Sequence, residues 1–140
     1  MEDNLKVISD VDRAFNEQDW DAFNNRHAET VVAYSPLTPE PTKGVDPHRE
    51  SVQGLFRAFP DMTMKQELSF GQGDWVCAVY SLTGTQDGPF QGPGGKEIPP
   101  TNKPVEMSFC TALKIENEKI VEERVYFDVL GMMAQLGLAP

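Results

Sequence analysis

The stretch KIVEERVYFDVLGMMAQLG, residues 119–137, decides the reading of this chain. Its first nine residues are β-branched, aromatic and charged in the manner of a strand, and its last nine carry the apolar spacing of a short helix. Between them stands one carboxylate, Asp128. An acid where a sheet meets a helix is either the helix N-cap or a proton-transfer group, and the residue types alone leave both open.

The strand needs a partner, and residues 105–116 supply it through a turn at Asn117-Glu118, giving an antiparallel hairpin. A turn of two or four residues sets Met107 opposite Asp128, Phe109 opposite Tyr126, Thr111 opposite Arg124 and Leu113 opposite Glu122. One face is then expected to carry Met107, Phe109, Thr111, Arg124, Tyr126 and Asp128. The other carries Ser108, Cys110, Val121, Val125 and Phe127. Both faces are partly apolar, so both should be covered, one by the N-terminal helices and the other by a second subunit.

Upstream, Met62, Met64, Leu68 and Phe70 alternate with Thr63, Lys65, Glu67 and Ser69, and Gly71-Gln72-Gly73-Asp74 turns the chain into a long strand over 75–85. Before that the period is helical. Leu5, Ile8, Val11 and Phe15 form one stripe, Asp19 caps a short second helix with Trp20 and Phe23, and Asp46-Pro47 opens a third with Val52, Leu55, Phe56 and Phe59 before Pro60 stops it. An extended segment, Val31-Val32-Ala33-Tyr34, separates the last two helices. Residues 86–104 hold nine glycines and prolines among 19 residues, a composition that reads as a long loop at the rim of a site or as a surface excursion.

Composition narrows the function. At 140 residues the chain suits one domain spanning 1–140, large enough to enclose a pocket. Its net charge of −10 is spread along the chain without a basic cluster, which excludes nucleic acid as a partner. No apolar run approaches the roughly 20 residues a membrane span needs, and the N-terminus lacks the basic and apolar regions of a signal peptide, so the reading predicts no membrane and a cytoplasmic protein. Cys77 and Cys110 read as buried thiols in strands. No Ser/His/Asp order, phosphate-binding glycine loop or closely spaced metal ligands are present. His27 and His48 read as packed or surface side chains, and Asp61 as a turn residue.

Three helices ahead of a curved antiparallel sheet, closed by a short C-terminal helix, make an α+β barrel of cone shape. In this order and spacing, Phe59-Pro60-Asp61-Met62, Thr83-Gly84-Thr85, Pro100-Thr101-Asn102-Lys103, Lys119-Ile120-Val121-Glu122 and Asp128 with Gln135-Leu136-Gly137 resemble the SnoaL-like polyketide cyclases, or ester cyclases, of the nuclear-transport-factor-2-like superfamily. The resemblance implies a cofactor-independent enzyme, with no metal, in which the aspartate at Asp128 removes a proton next to a carbonyl so that an aldol reaction closes a ring. It also implies a homodimer paired through the outer face of the sheet, and a small organic ligand.

On this reading Asp128 is the catalytic candidate, and Arg124, Tyr126, Met107, Phe109, Tyr34 and Gln86 are the substrate-binding candidates. Met107 and Phe109 would desolvate Asp128 and strengthen it as a base, and Tyr126 or Arg124 would steady a developing enolate. Tyr34, Gln86 and Arg124 depart from residues frequent in the family, and Arg124 points to a smaller or anionic ligand. An acid–base enzyme, a binding module of the same shape and a structural dimerisation domain remain the three classes to separate.

Overall fold

The computed structural model describes residues 2–138; Met1 and residues 139–140 lie outside it. The first helix, α1, spans Glu2–Glu17 and buries Val7, Ile8, Val11, Ala14 and Phe15 along the stripe its spacing dictates. The short helix α2, Trp20–Asn25, starts at Asp19, whose carboxylate accepts the Ala22 N–H at 3.1 Å. Strand β1, His27–Tyr34, and the two-residue β2, Thr42–Lys43, lead into α3, Val45–Ala58. This helix begins one residue ahead of Asp46. Gly44 takes the cap position at φ 98°, with its N–H bonded to Val31 O at 2.8 Å, a backbone shape open to glycine.

The long strands follow as β3, Thr63–Gln72, and β4, Trp75–Thr85. The loop of 86–104 contains a miniature hairpin of β5, Phe90–Gln91, and β6, Glu97–Ile98, before β7, Pro104–Glu116, β8, Lys119–Phe127, and the closing helix α4, Val129–Gln135. Six strands form one sheet in the order β2-β1-β8-β7-β4-β3. All neighbours are antiparallel except β1 and β8, which run parallel. The sheet curls around α1 to α3, making the expected α+β cone. Among the described residues, no helix is long and apolar enough to cross a membrane.

Two β-bulges change which residues face inwards. In the β7–β8 ladder, Ile115 pairs with Ile120 but Lys114 pairs with Glu122, so Val121 has no partner. Beyond it Leu113 meets Glu123, Thr111 meets Val125 and Phe109 meets Phe127, one residue away from the expected register. Because side chains alternate with period two, that slip sends Glu123, Val125 and Phe127 into the cone and Arg124, Tyr126 and Asp128 away from it. In the β3–β4 ladder, Gln66 pairs with Tyr80 and Leu68 with Val79, leaving Glu67 unpaired. Met64 therefore faces the interior with Gln66, whereas Leu68 and Phe70 turn outwards and are 52% and 61% exposed. The expected single face of Met62, Met64, Leu68 and Phe70 is thus split.

The motifs behind the family likeness are structural joints. The Asp61 carboxylate accepts from the Thr85 N–H at 2.7 Å and hydroxyl at 2.9 Å, tying the end of α3 to the end of β4. The Gln135 amide pairs with both backbone groups of Glu106, at 2.7 and 2.9 Å, while Leu136 is buried beside it. Burying Leu136 and Met132 stabilises the docked α4 by about 2 kcal/mol each, against ~1 kcal/mol for its cap, so the apolar anchors dominate. At Gly44 a side chain would meet a left-handed backbone and the Pro47 ring. Gly44→Ala should cost about 1–3 kcal/mol in a denaturant titration.

Candidate functional site

The inner faces of the sheet and the helices enclose a cavity of about 660 Å³. Most of its wall is apolar, with Phe15 and Val52 from the helices, Met64 and Leu82 from β3 and β4, and Met107 and Phe109 from β7. Among the polar side chains along that wall, which include Glu50, Arg57 and Thr111, two groups bring together residues of different elements.

The first group is centred on Asp12 of α1. Tyr80 of β4 donates its hydroxyl to Asp12 Oδ1 at 2.8 Å, and Gln66 of β3 donates its amide to Oδ2 at 2.9 Å. Asp12 sits on the helical stripe beside Val11 and Phe15, so the packing that buries α1 also brings its carboxylate against the sheet. Burial raises its pKa, and the Tyr80 and Gln66 hydrogen bonds offset this in part. Burial also raises the Tyr80 phenol, with the Asp12 charge adding to the effect, so the phenol keeps its proton and acts as a donor. The Tyr80 ring is fixed by stacking on Phe109, with centroids 4.9 Å apart and planes 14° apart.

The second group comprises His27 at the start of β1, His48 in the first turn of α3 and Glu123 of β8. His48 Nε2 lies 3.4 Å from Glu123 Oε2. Burial alone would lower His48, but the Glu123 carboxylate beside it outweighs this and holds the imidazole above its usual range. The same partner acts in reverse on Glu123, where burial raises the carboxyl and His48 brings it below normal. His27 is pushed down to about 4, first by burial, and so is neutral at pH 7. Its Nδ1 donates to Phe23 O at 2.7 Å, and its ring stacks on Phe23 at 4.2 Å. One nitrogen or oxygen from each of His27, His48 and Glu123 lies within 4.8 Å of the others, a set of donor atoms of the kind that holds a metal ion.

Of the residues singled out in the sequence, Met107, Phe109 and Tyr34 line the cavity. Asp128 does not. Its carboxylate is exposed and caps α4, with Oδ1 accepting the Gly131 N–H at 2.8 Å. Gly131 has no Cβ to collide with that carboxylate. Tyr126 is 52% exposed on the outer face. Arg124 shares that face, with Nε bonded to Glu122 at 2.7 Å and its guanidinium 4.2 Å over the Tyr34 ring. Gln86 is fully buried outside the cavity wall, where it pins the loop: its amide donates to the carbonyls of Gly88, Ile98 and Pro99, and its oxygen accepts the Thr101 hydroxyl at 2.7 Å. The physical reason for the shift at Arg124, Tyr126 and Asp128 is the Val121 bulge. Asp12, Tyr80, His27, His48 and Glu123 went unread as a site because they are scattered in sequence, although Asp12 stands as an acid on an otherwise apolar stripe.

Comparison with known proteins settles the family. The model of the SnoaL-like polyketide cyclase family matches residues 6–136. The chain belongs to this family. A candidate polyketide cyclase, IdmH of Streptomyces antibioticus, is 27% identical, with 96% of this chain and 98% of that one covered at a TM-score of 0.80. A candidate SnoaL-like polyketide cyclase from Jannaschia Sp. CCS1 is 22% identical over 99% of this chain and 94% of its own, at a TM-score of 0.85. A protein of ketosteroid isomerase-like fold from Catenulispora acidiphila, solved in complex with trimethylamine, is 14% identical over 96% and 93%, at a TM-score of 0.77. No functionally curated protein sequence matches the chain.

The raised pKa of Asp12 has a consequence for stability. A carboxyl that binds its proton more tightly when folded favours the native state below its unfolded pKa, and loses that contribution as pH rises through the folded value. At pH 7 the buried charge is therefore a cost. Asp12→Asn retains an acceptor for Tyr80, and Gln66 can turn its amide to suit. The variant should melt higher than the parent at pH 7, and the difference should shrink as pH falls towards the ordinary carboxyl value near ~3.9, as a series of thermal melts would record.

Proposed function

We propose that this chain is an acid–base enzyme for a small, largely apolar carbonyl compound, performing an aldol ring closure or an isomerisation next to the carbonyl, with Asp12 as the base. The observation that carries this reading is a carboxylate of raised proton affinity, held by Tyr80 and Gln66, on the wall of an apolar cavity. A buried carboxylate of that kind is tuned towards the pH at which it must take and return a proton. When Asp12 takes a proton from carbon, its negative charge is quenched and the Tyr80 hydroxyl is released to donate to the enolate oxygen. The proton then returns to carbon or to the new alkoxide, and the side chains end as they began. Membership of the SnoaL-like family supports the reaction class. The proton-transfer role moves from Asp128 to Asp12, because only the latter borders the cavity, and Asp128 is read as the cap of α4.

Proton abstraction can be tested before the natural substrate is found. β-Ketoesters and cyclic 1,3-diketones incubated with the protein in D2O should exchange the hydrogens between their carbonyls faster than in buffer, as followed by NMR. Asp12→Asn should lower that acceleration by ~10²-fold or more, while Asp128→Asn should leave it unchanged. The opposite pattern would return the role to Asp128. A second reading, a binding module without turnover, is favoured by one feature: both Asp12 oxygens already accept a hydrogen bond. Compounds that bind without any exchange would support it.

We also propose that two copies pair through the outer face of the sheet. Leu68, Val79, Cys110 and Tyr126 are successive ladder partners across four strands, forming an apolar row beside the exposed Phe70. Val125 and Phe127, expected on this face, are inside the cone. Sedimentation should give twice the 15.6 kDa chain mass, and Phe70→Glu should halve it by placing a charge in the row. A parent chain that stays at 15.6 kDa at micromolar concentration would rule the pairing out.

A further inference from the structure

We infer that His27, His48 and Glu123 form a binding site for a divalent metal ion of the zinc class, beside the cavity and separate from Asp12. The three side chains come from β1, α3 and β8, and the fold brings one donor atom of each within 4.8 Å of the others. Two imidazoles and one carboxylate are the nitrogen and oxygen donors that first-row transition ions take, whereas magnesium and calcium prefer oxygen alone.

The geometry at His27 is the strongest point. Its Nδ1 donates to the Phe23 carbonyl at 2.7 Å, which fixes the tautomer and leaves the lone pair on Nε2. That nitrogen is buried, on a residue 2% exposed, and has no hydrogen-bond partner. An orphaned buried acceptor costs about 1–3 kcal/mol, so a partner is expected to occupy the space. A ring nitrogen tied to a backbone carbonyl, with the other nitrogen presented to an ion, is the usual arrangement of a metal-binding histidine. Stacking on Phe23 holds the ring in that orientation.

His48 and Glu123 supply a second, independent distance. His48 Nε2 also lacks a well-formed hydrogen bond, yet it lies 3.4 Å from Glu123 Oε2. Two ligands bound at ~2.0–2.1 Å in a tetrahedral site stand roughly 3.3 Å apart, so this pair already has ligand spacing, and the third atom, within 4.8 Å, completes the set by moving inward by up to about 1.5 Å. The ion takes the place of the proton between His48 and Glu123. Once the His48 proton has left, the three groups carry a single negative charge in a poorly hydrated place, which the bound cation neutralises. His48 and Glu123 also line the cavity, so a molecule entering it can offer the fourth donor atom.

The full chain, stripped with EDTA and titrated with CoCl2 and with ZnCl2, tests this without reference to turnover. One equivalent of Co2+ should bind and give visible d–d bands, Zn2+ should displace it, and Zn2+ should raise the melting temperature. His27→Gln and Glu123→Gln should each weaken Zn2+ binding by at least ~10-fold, while Asp128→Asn, on the far side of the sheet, should not. Binding that survives both substitutions would assign the ion to the acidic surface and overturn the site, as would the absence of saturable binding by the parent chain. Should either variant fail to fold, the imidazole nitrogen resonances of the parent decide. Zinc must shift Nε2 of both His27 and His48, and unmoved resonances would overturn the inference.

Discussion

The ladder between β7 and β8 breaks at Val121, and the chemistry of the cavity follows from that break. One extra residue on β8 shifts the register, and period-two alternation carries the shift along the strand to Phe127. Glu123 enters the cone beside two histidines, Val125 and Phe127 complete the apolar wall, and Asp128 arrives at the outer surface in position to cap α4. Without the bulge, the cavity would hold Glu122 and Arg124 in place of Glu123 and Val125. The bulge at Glu67 acts in the same way on β3, bringing Gln66 to Asp12 and turning Leu68 and Phe70 to the outer face.

The polar groups inside are expensive, and the fold offsets their cost locally. Asp12 receives two hydrogen bonds and Glu123 a basic neighbour, while Tyr80 is held by stacking as well as by its hydroxyl. Among the described residues, four buried side-chain atoms remain without a hydrogen-bond partner: Asn24 Oδ1, Thr111 Oγ1, and Nε2 of both His27 and His48, so two of the four fall in the histidine group. A buried polar atom of that kind calls for a partner such as an ordered water or an ion, or for a role in strain or chemistry. Most other strong polar contacts serve as joints. Asp61 to Thr85, Gln86 to its loop and Gln135 to Glu106 fasten the ends of elements on which the cavity wall depends.

Period and punctuation made the architecture legible. The stripe of α1, the Asp19 cap, the stop at Pro60 and the two hairpins all appear as expected, because each depends on local residue types. The family was legible for the same reason: its motifs are the joints of the fold. The facing of the strands was not legible, since Glu67 and Val121 fit the alternation they interrupt, and the partner strand decides which residue is skipped. The parallel pairing of β1 with β8 was equally hidden, and it brings the strand that starts at His27 alongside the one that carries Glu123.

The register of β7 and β8 can be measured directly in solution. Cross-strand nuclear Overhauser effects in a uniformly labelled sample should connect Thr111 with Val125 and Phe109 with Phe127, with Val121 skipped between Ile120 and Glu122. Effects joining Phe109 to Tyr126 and Met107 to Asp128 would contradict this, because they would put Asp128 inside the cone and remove Glu123 from it.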